Sequence, residues 1–279
     1  MPTLVKKFDM LEVTERGLET EIKNLEDRFI KDFGKILRPG TKILQVEAAE
    51  ITPKINRRVE KVKENQIIVG LDKVYADSSN FILDITRNTD LRTGNFLNMV
   101  ERYGALKIKK QFQNLKKELK KANQKGIILV DGGSCRGITI EQTAKLLEKS
   151  GIQTDKIILG FSTDTSFRYL NNLFPNKLES IEKYDVYEWT ELRDVALIDG
   201  KTVPPQYSIN NRRTYRAYFE TLEQDASIPT ESVEIGKRLC YGLYQNIMNL
   251  LRDNQINAEA KIGGWMTLIR PELGYPKFY

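Results

Sequence analysis

Residues 131–139 combine a carboxylate with a glycine-rich turn, which is the chemistry needed to hold a sugar phosphate. They follow residues 127–130 (IILV), an apolar run typical of a strand buried on both faces of a parallel sheet. Ligands of open α/β sheets bind at the carboxyl ends of such strands, where Asp131 would lie. Glycine lets backbone amides turn toward an anion, and a following helix adds its positive end. We therefore expect Asp131 to bind sugar hydroxyls beside a phosphate cradle.

The same stretch resembles the phosphoribosyl-pyrophosphate (PRPP) motif of type I phosphoribosyltransferases. That motif consists of four apolar residues, an acidic pair, two or three variable residues and then Thr-Gly-x-Thr or Thr-Gly-x-Ser. Asp131 matches the first acid, Gly137 the glycine and Thr139 the final hydroxyl residue, without a gap. The resemblance implies that Asp131 is a catalytic residue that binds the ribose hydroxyls of PRPP, and that the loop surrounds the 5′-phosphate. The substrate-binding residues implied in this way are Asp131, Gly132, Gly133, Ser134, Cys135, Arg136, Gly137, Ile138 and Thr139.

Two residues depart from the family motif. Gly132 stands where a second acid is usual, although the uracil-specific branch of the family also lacks that acid. Arg136 stands where the first threonine is usual, and its guanidinium could either bind phosphate through paired hydrogen bonds or block the pocket. A different interpretation of Thr139 also stays open. Thr139 and Gln142 form a capping-box pattern, in which Thr139 only begins the helix.

A phosphoribosyltransferase also needs a second anion-binding loop, for pyrophosphate, after an earlier strand. One candidate is the pair Asp72 and Lys73, which comes at the end of the apolar run QIIVGL. The other is Arg87, which follows the apolar run FILDI. We favour Arg87 as the second catalytic residue, because residues 88–90 (NTD) predict a polar loop before a helix. For either candidate an ordinary surface charge is an equal alternative.

The elements that must position these residues are strands and helices in alternation. Apolar runs predict strands of one mostly parallel sheet at 66–71, 81–85, 127–130 and 156–161. Apolar residues spaced by three or four predict amphipathic helices at 14–37, at 95–123 with a break near Gly104, after Thr139 up to Gly151, at 215–222 and at 233–250. Residues 44–58 are ambiguous, because Pro53 disfavours a continuous helix, and residues 186–197 would hold one or two strands.

These elements predict an α/β fold with a mostly parallel sheet flanked by helices, similar to the phosphoribosyltransferase fold, with helical additions at both ends. The expected division is a helical or mixed extension at 1–60, an α/β core at 61–202 and a C-terminal helical region at 203–279. The second boundary is placed at the sequence Val203-Pro204-Pro205, because consecutive prolines interrupt regular structure.

Composition restricts the chemistry. The chain has no histidine and two cysteines, so it cannot use a Ser-His-Asp triad, a Cys-His dyad or histidine-ligated zinc. The 44 basic and 38 acidic residues give a net charge of +6, which suits an anionic ligand, although most lysines are expected to be solvated surface. The charged start and the lack of a long apolar run predict a cytoplasmic protein without a membrane segment.

The first functional hypothesis is an Mg²⁺-dependent transferase that moves 5-phosphoribosyl from PRPP to a nitrogen of a nucleobase. The Mg²⁺ would be held mainly by oxygens of pyrophosphate and ribose, with no dedicated protein metal site. The second hypothesis is a non-catalytic protein on the same fold, which senses PRPP or nucleotides or acts in a defence system. The third is a hydrolase of N-glycosidic bonds. The expected partner is a sugar phosphate or nucleotide, with a homodimer and a nucleic acid on the lysine-rich stretch 107–121 as further expectations.

Overall fold

The computed structural model describes most of the chain from residue 3 to residue 254. The described residues are 3–6, 18–41, 43–46, 48–62, 66–71, 75–76, 78–90, 95–102, 105–185, 188–191, 206–209, 212–215 and 229–254. Two compact units are present, the first formed by Met1–Asp9, Leu44–Arg87 and Met99–Trp189, and the second by Met10–Ile43, Asn88–Asn98 and Thr190–Tyr279. Both units are assembled from separate stretches of chain, and the division at 60 and 202 stays a prediction.

The secondary structure alternates between strands and helices. In chain order the elements are β1 (Thr3–Lys6), α1 (Glu19–Gly34), β2 (Ile43–Val46), α2 (Ala48–Glu60), β3 (Ile67–Gly70), β4 (Phe81–Ile82), β5 (Ile85–Asp90), β6 (Phe96–Glu101), α3 (Ile108–Lys121), β7 (Gly126–Ser134), α4 (Ile138–Lys149), β8 (Gln153–Thr163), α5 (Asp164–Leu173), β9 (Leu178–Tyr184), β10 (Glu188–Glu191), β11 (Gln206–Ile209), β12 (Arg212–Tyr215), a short 3-10 helix (Thr230–Ser232) and α6 (Val233–Asp253). None of the helices in the described part of the chain is long and apolar enough to cross a lipid bilayer.

The first unit is built on a five-stranded sheet with the order β4-β3-β7-β8-β9. Every neighbouring pair in this sheet is parallel. The apolar residues 127–130 at its centre are fully buried, as expected for a strand covered on both faces. The predicted α/β fold, with the four predicted strands in one parallel sheet, is therefore confirmed. The edge strand β9 was not predicted, because its sequence LESIEKY has no apolar run and its residues are only partly buried.

Helices of the first unit bury their apolar stripes. On α2, the buried residues Ile51, Ile55 and Val59 pack in one cluster with Ile128 and Val130 of β7. On the other helices, the buried apolar residues are Phe112, Leu115 and Leu119 of α3, and Ile140, Ala144 and Leu147 of α4. Each helix shows the spacing of three and four that indicates one core-facing stripe. The periodicity had indicated the stripes of α3 and α4, whereas the stripe of α2 was not predicted because residues 44–58 were ambiguous.

Ion pairs also attach α2 to the edge strand β9. The guanidinium of Arg58 contacts the Glu179 carboxylate through two nitrogens, and Lys54 Nζ lies 2.5 Å from Glu182 Oε1. Lys156 Nζ of the neighbouring strand lies 2.8 Å from Glu179 Oε2. The hydrogen bonds from Arg58 and Lys156 together lower the pKa of Glu179, although burial opposes them. These paired charges explain how a polar edge strand is kept on the sheet.

Two predictions for the segment between β4 and α3 are wrong. Residues 88–90 were predicted as a polar loop before a helix, and a helix was predicted to begin at about residue 95, but residues 85–90 form β5 and residues 96–101 form β6. These strands belong to a second sheet with the order β12-β11-β5-β6. The N–H of Asp90 donates to the carbonyl of Asn95 at 2.8 Å, so backbone hydrogen bonding between the two segments replaces the predicted helix.

Two further helix predictions are wrong at particular residues, Pro53 and Tyr215. Pro53 lies inside the continuous helix α2, so the expectation that it would break the helix is wrong. It lies in the second turn and removes one backbone hydrogen bond, a cost offset by the burial of Ile51 and Ile55. Tyr215 ends strand β12 and does not begin a helix, while residues 216–222 lie outside the described residues. The helix predicted at 233–250 is confirmed as α6, and the strand predicted within 186–197 is confirmed as β10.

Candidate functional site

The candidate site lies where strands β3 and β7 separate. The order β4-β3-β7 means that the chain leaves β3 toward one edge of the sheet and leaves β7 toward the other, which creates a crevice at their carboxyl ends. Pairing of β7 with β3 stops at Val130, whose carbonyl accepts from Leu71 N–H at 2.9 Å. Pairing with β8 continues to Ser134. Asp131 is therefore the first residue of β7 beyond its pairing with β3.

The position of Asp131 differs in one respect from the sequence prediction. The strand was predicted to end at Val130, but it extends to Ser134, so Asp131 lies within the strand and not in the loop after it. Its carboxylate is partly buried, and Oδ1 accepts a hydrogen bond of 2.8 Å from the N–H of Gly132. This contact orients the carboxylate, whose oxygens can only accept hydrogen bonds. Such a group suits the hydroxyls of a sugar at the edge of the crevice.

Gly132 is explained by its packing. A Cβ atom at this position would lie 2.7 Å from both Cγ and Cδ2 of Tyr75, whose side chain is 2% exposed. The neighbouring Gly133 is equally restricted, because a Cβ there would lie 2.6 Å from the ring of Phe161. The position at which the family motif carries its second acid is thus covered by the Tyr75 ring.

Residues 135–137 connect β7 to helix α4, and they are named here the anion-binding turn after the role proposed for them below. Gly137 has a φ of 82° and serves as the N-cap of α4 without a side-chain hydrogen bond. Because glycine brings no capping oxygen, the first-turn amides of α4 have no side-chain cap and face the turn with the positive helix end. The helix begins at Ile138, so Thr139 lies in its first turn, and the capping-box alternative for Thr139 is wrong. Arg136 is exposed on the turn.

Two hydroxyl residues beside the turn, Thr163 and Ser166, were missed in the sequence, whereas their neighbour Ser134 was among the predicted residues. Thr163 Oγ1 donates to the carbonyl of Cys135 at 2.6 Å and accepts from the N–H of Ser166 at 3.0 Å. The hydroxyls of Ser134 and Ser166 lie 2.7 Å apart. A threonine at the end of a strand, followed three residues later by a polar residue, is an N-cap pattern that could have indicated Thr163. Its contact with the turn is long-range and has no such local signal.

Helix α5 also covers the other side of the turn. A Cβ atom on Gly137 would lie 2.8 Å from Cδ1 of Tyr169. The Tyr169 hydroxyl donates to Glu141 Oε2 at 2.8 Å, and Lys145 Nζ lies 2.6 Å from Glu141 Oε1. Burial alone would raise the pKa of Glu141, but the hydrogen bonds from Lys145 and Tyr169 outweigh it and lower that pKa. Glu141 is therefore a structural anion that joins α4 to α5.

The other predicted site residues have different positions. Asp72 and Lys73 lie outside the described residues. Arg87 lies within β5 of the second sheet and is partly buried, so it does not stand in a polar loop as predicted. A role in pyrophosphate binding stays a prediction for both segments.

We predict that Gly137→Ala destabilises the protein more than Gly151→Ala. Both glycines have positive φ values, 82° and 73°, so alanine is strained at either position by about 1–2 kcal/mol. Only at Gly137 would the new Cβ meet a neighbour, Tyr169 Cδ1 at 2.8 Å, whereas nothing lies within 4 Å at Gly151. Overpacking should add about 1–3 kcal/mol at Gly137. Urea denaturation measures both costs, and equal costs would contradict the packing described here.

Comparisons with known proteins give limited similarity. No model of a protein family and no curated protein matches the chain. Among solved structures, the crystal structure of adenine phosphoribosyltransferase from Thermoanaerobacter pseudethanolicus is similar, with a TM-score of 0.31 and 14% sequence identity over 56% of this chain and 99% of that chain. The TM-score and the sequence identity are both low, so the function proposed below rests on the residues of the candidate site.

Proposed function

We propose that the chain binds PRPP or a nucleoside 5′-monophosphate at residues 131–139 and transfers the 5-phosphoribosyl group to a nitrogen of a nucleobase. One observation carries the proposal. A partly buried carboxylate, Asp131, and the uncapped amino end of α4 lie on one strand-turn-helix segment at the point where β3 and β7 separate.

The phosphate half of the ligand fits the turn. The αL conformation of Gly137 leads directly into α4, whose first backbone N–H groups have no side-chain cap and can donate to an anion at the helix end. A helix amino end carries a partial positive charge, and Arg136 adds a full one on the same turn. An anion with several oxygens, such as a phosphate monoester, can accept from all of these donors.

The ribose half fits Asp131. The ribose of PRPP or of a nucleoside 5′-monophosphate has two free hydroxyls that can donate, and an ionised carboxylate can accept both. In the transfer itself, the bond from ribose C1 to pyrophosphate breaks, the bond from C1 to the acceptor nitrogen forms, and that nitrogen loses its proton. The ribosyl group is cationic at the transition state, so a nearby carboxylate also stabilises charge. No histidine is required for this reaction, in agreement with the composition.

Mg²⁺ is the cofactor expected for this chemistry. Among the described residues, no group of three or more Cys, Asp or Glu side chains could hold a metal ion. Mg²⁺ usually keeps few protein ligands and takes the rest from substrate phosphates and water. A site with Asp131 as its carboxylate is therefore compatible with an ion held mainly by PRPP, where it would neutralise the charge of the leaving pyrophosphate.

A second candidate function is sensing of the same ligands without catalysis. The Tyr75 ring over Gly132 supports it, because the second acid of the family motif has no room there. Mixing the protein with PRPP, Mg²⁺ and a panel of bases separates the two functions. A transferase releases pyrophosphate in the presence of one base, whereas a sensor binds PRPP and releases none.

The binding test is isothermal titration with PRPP and with nucleoside 5′-monophosphates in Mg²⁺. We expect Asp131→Ala to weaken binding by about tenfold to a hundredfold, because hydrogen bonds to a charged group are worth about 1.5–3 kcal/mol. The matched control is Asp155→Ala, which removes a carboxylate at the start of β8, the opposite end of the same sheet. An equal effect of the two substitutions, or no binding by wild-type protein, would refute the assignment.

A further inference from the structure

We propose that Thr163 is a positioning residue that fixes the anion-binding turn through its hydroxyl group, an inference that rests on the proposed function. Thr163 is the last residue of β8 and the N-cap of α5. It does not belong to the β7 segment that carries the PRPP-like motif. Its effect on a ligand would act through the backbone of the turn.

The Thr163 hydroxyl makes two hydrogen bonds with opposite roles. It accepts from the N–H of Ser166, which closes the first turn of α5, and it donates to the carbonyl of Cys135 in the anion-binding turn. The residue is 1% exposed, so water does not compete for either bond. One side chain therefore ties the turn to the start of a helix and to the end of a central strand.

The bond to Cys135 determines where the next amide points. The peptide bond between Cys135 and Arg136 is trans, like the others in the described part of the chain, so the N–H of Arg136 is directed opposite to the Cys135 carbonyl. Holding that carbonyl toward Thr163 directs the Arg136 N–H away from Thr163. The peptide is thereby set in one orientation before a ligand arrives, which reduces the ordering cost of binding.

A second contact holds the residue before the turn. The hydroxyls of Ser134 and Ser166 lie 2.7 Å apart, and both side chains are buried. Ser166 is therefore held by Thr163 through its backbone N–H, and its hydroxyl contacts the hydroxyl of Ser134. Residues at the amino end of α5 therefore contact both the turn, at Cys135, and the residue before it, Ser134.

The inference is tested with three variants. Thr163→Val keeps the shape and removes the hydroxyl, and Thr163→Ser keeps the hydroxyl and removes a methyl group. Ser162→Ala is the control, because it removes a buried hydroxyl bond of the same kind at the adjacent residue, the one to Ser180 Oγ at 2.9 Å. Thr163→Val loses both hydrogen bonds of the hydroxyl, the one to Cys135 and the one from Ser166, whereas Thr163→Ser and Ser162→Ala keep both.

Two readouts are expected to agree. Without ligand, Thr163→Val should speed amide hydrogen exchange in residues 134–140 by about tenfold, since one lost hydrogen bond is worth roughly one decade. Exchange in residues 126–130 of β7 should stay as in the wild type. In titrations, PRPP should bind Thr163→Val about tenfold more weakly, while Thr163→Ser and Ser162→Ala should remain close to wild type.

The outcomes are distinguishable. If Thr163→Val exchanges like Ser162→Ala in residues 134–140, or if exchange rises equally along all of β7, Thr163 does not fix the turn and the inference is overturned. If exchange changes as expected but wild-type protein binds no PRPP, the proposed function fails while the positioning of the turn by Thr163 is upheld. If exchange changes and PRPP affinity does not, the turn is not the binding element and the inference is overturned.

Discussion

Replacing Arg136 by alanine is expected to weaken PRPP binding by about tenfold to a hundredfold, since a charge-assisted hydrogen bond is worth about 1.5–3 kcal/mol. Arg136 is exposed on the anion-binding turn, beside the amino end of α4. The helix end carries a partial positive charge that repels a cation, so an arginine at this place gains stability when an anion lies between them. Its guanidinium would contact the phosphate in place of the threonine of the family motif.

The sign of the change distinguishes this account from its alternative. If Arg136 blocked the site instead, Arg136→Ala would leave binding unchanged or improve it. Arg136→Thr, which restores the residue usual in the family, should recover part of the lost affinity. The matched control is Arg168→Ala, which removes another exposed arginine from the same unit and leaves the same net charge. Isothermal titration of the four proteins gives the comparison.

Introducing the second acid of the family motif, Gly132→Asp, is expected to destabilise the protein by about 3 kcal/mol or more. The new Cβ would lie 2.7 Å from two ring atoms of Tyr75, and the new carboxylate would be buried. Overpacking costs about 1–3 kcal/mol, and a buried group without hydrogen bonds adds a similar amount. Urea denaturation should show the loss as a lower midpoint.

A double substitution tests the cause of that loss. Tyr75→Ala removes the ring atoms and leaves only its Cβ, 3.0 Å from the position of the new atom. The cost of Gly132→Asp should therefore be smaller when Tyr75 is already alanine, and the difference is the interaction energy between the two positions. If the two costs simply add, Tyr75 does not explain why this position is glycine.

The parallel core could be predicted from sequence because its signal is local. The runs QIIVGL, IILV and KIILGF contain almost no polar residue, and a strand of that kind is buried on both faces of a parallel sheet. The glycines of the motif could also be identified directly in the sequence. That the strand continues to Ser134 was not visible, because it depends on pairing with β8 alone.

Other parts depend on contacts between distant segments and had no such signal. Arg87 and the residues after it have mixed composition, and only the second sheet decides that they are extended. Tyr75 covers Gly132 across 57 positions of sequence, and Thr163 reaches Cys135 across 28. No rule of residue spacing predicts either of these two contacts. The sequence therefore indicated where the strand, the glycine-rich turn and the helix of the candidate site lie, whereas the side chains that support the turn are visible only in the folded chain.

The most direct test of the central claim is the amide NMR spectrum of the protein during titration with PRPP and Mg²⁺. We predict that the amide signals of Cys135, Arg136, Gly137 and Ile138 shift together and saturate, because their backbone lies in the anion-binding turn and at the start of α4. The same titration with Asp131→Ala should need about tenfold to a hundredfold more PRPP. Unchanged signals for these four residues at saturating PRPP, or shifts confined to another part of the chain, would contradict the account.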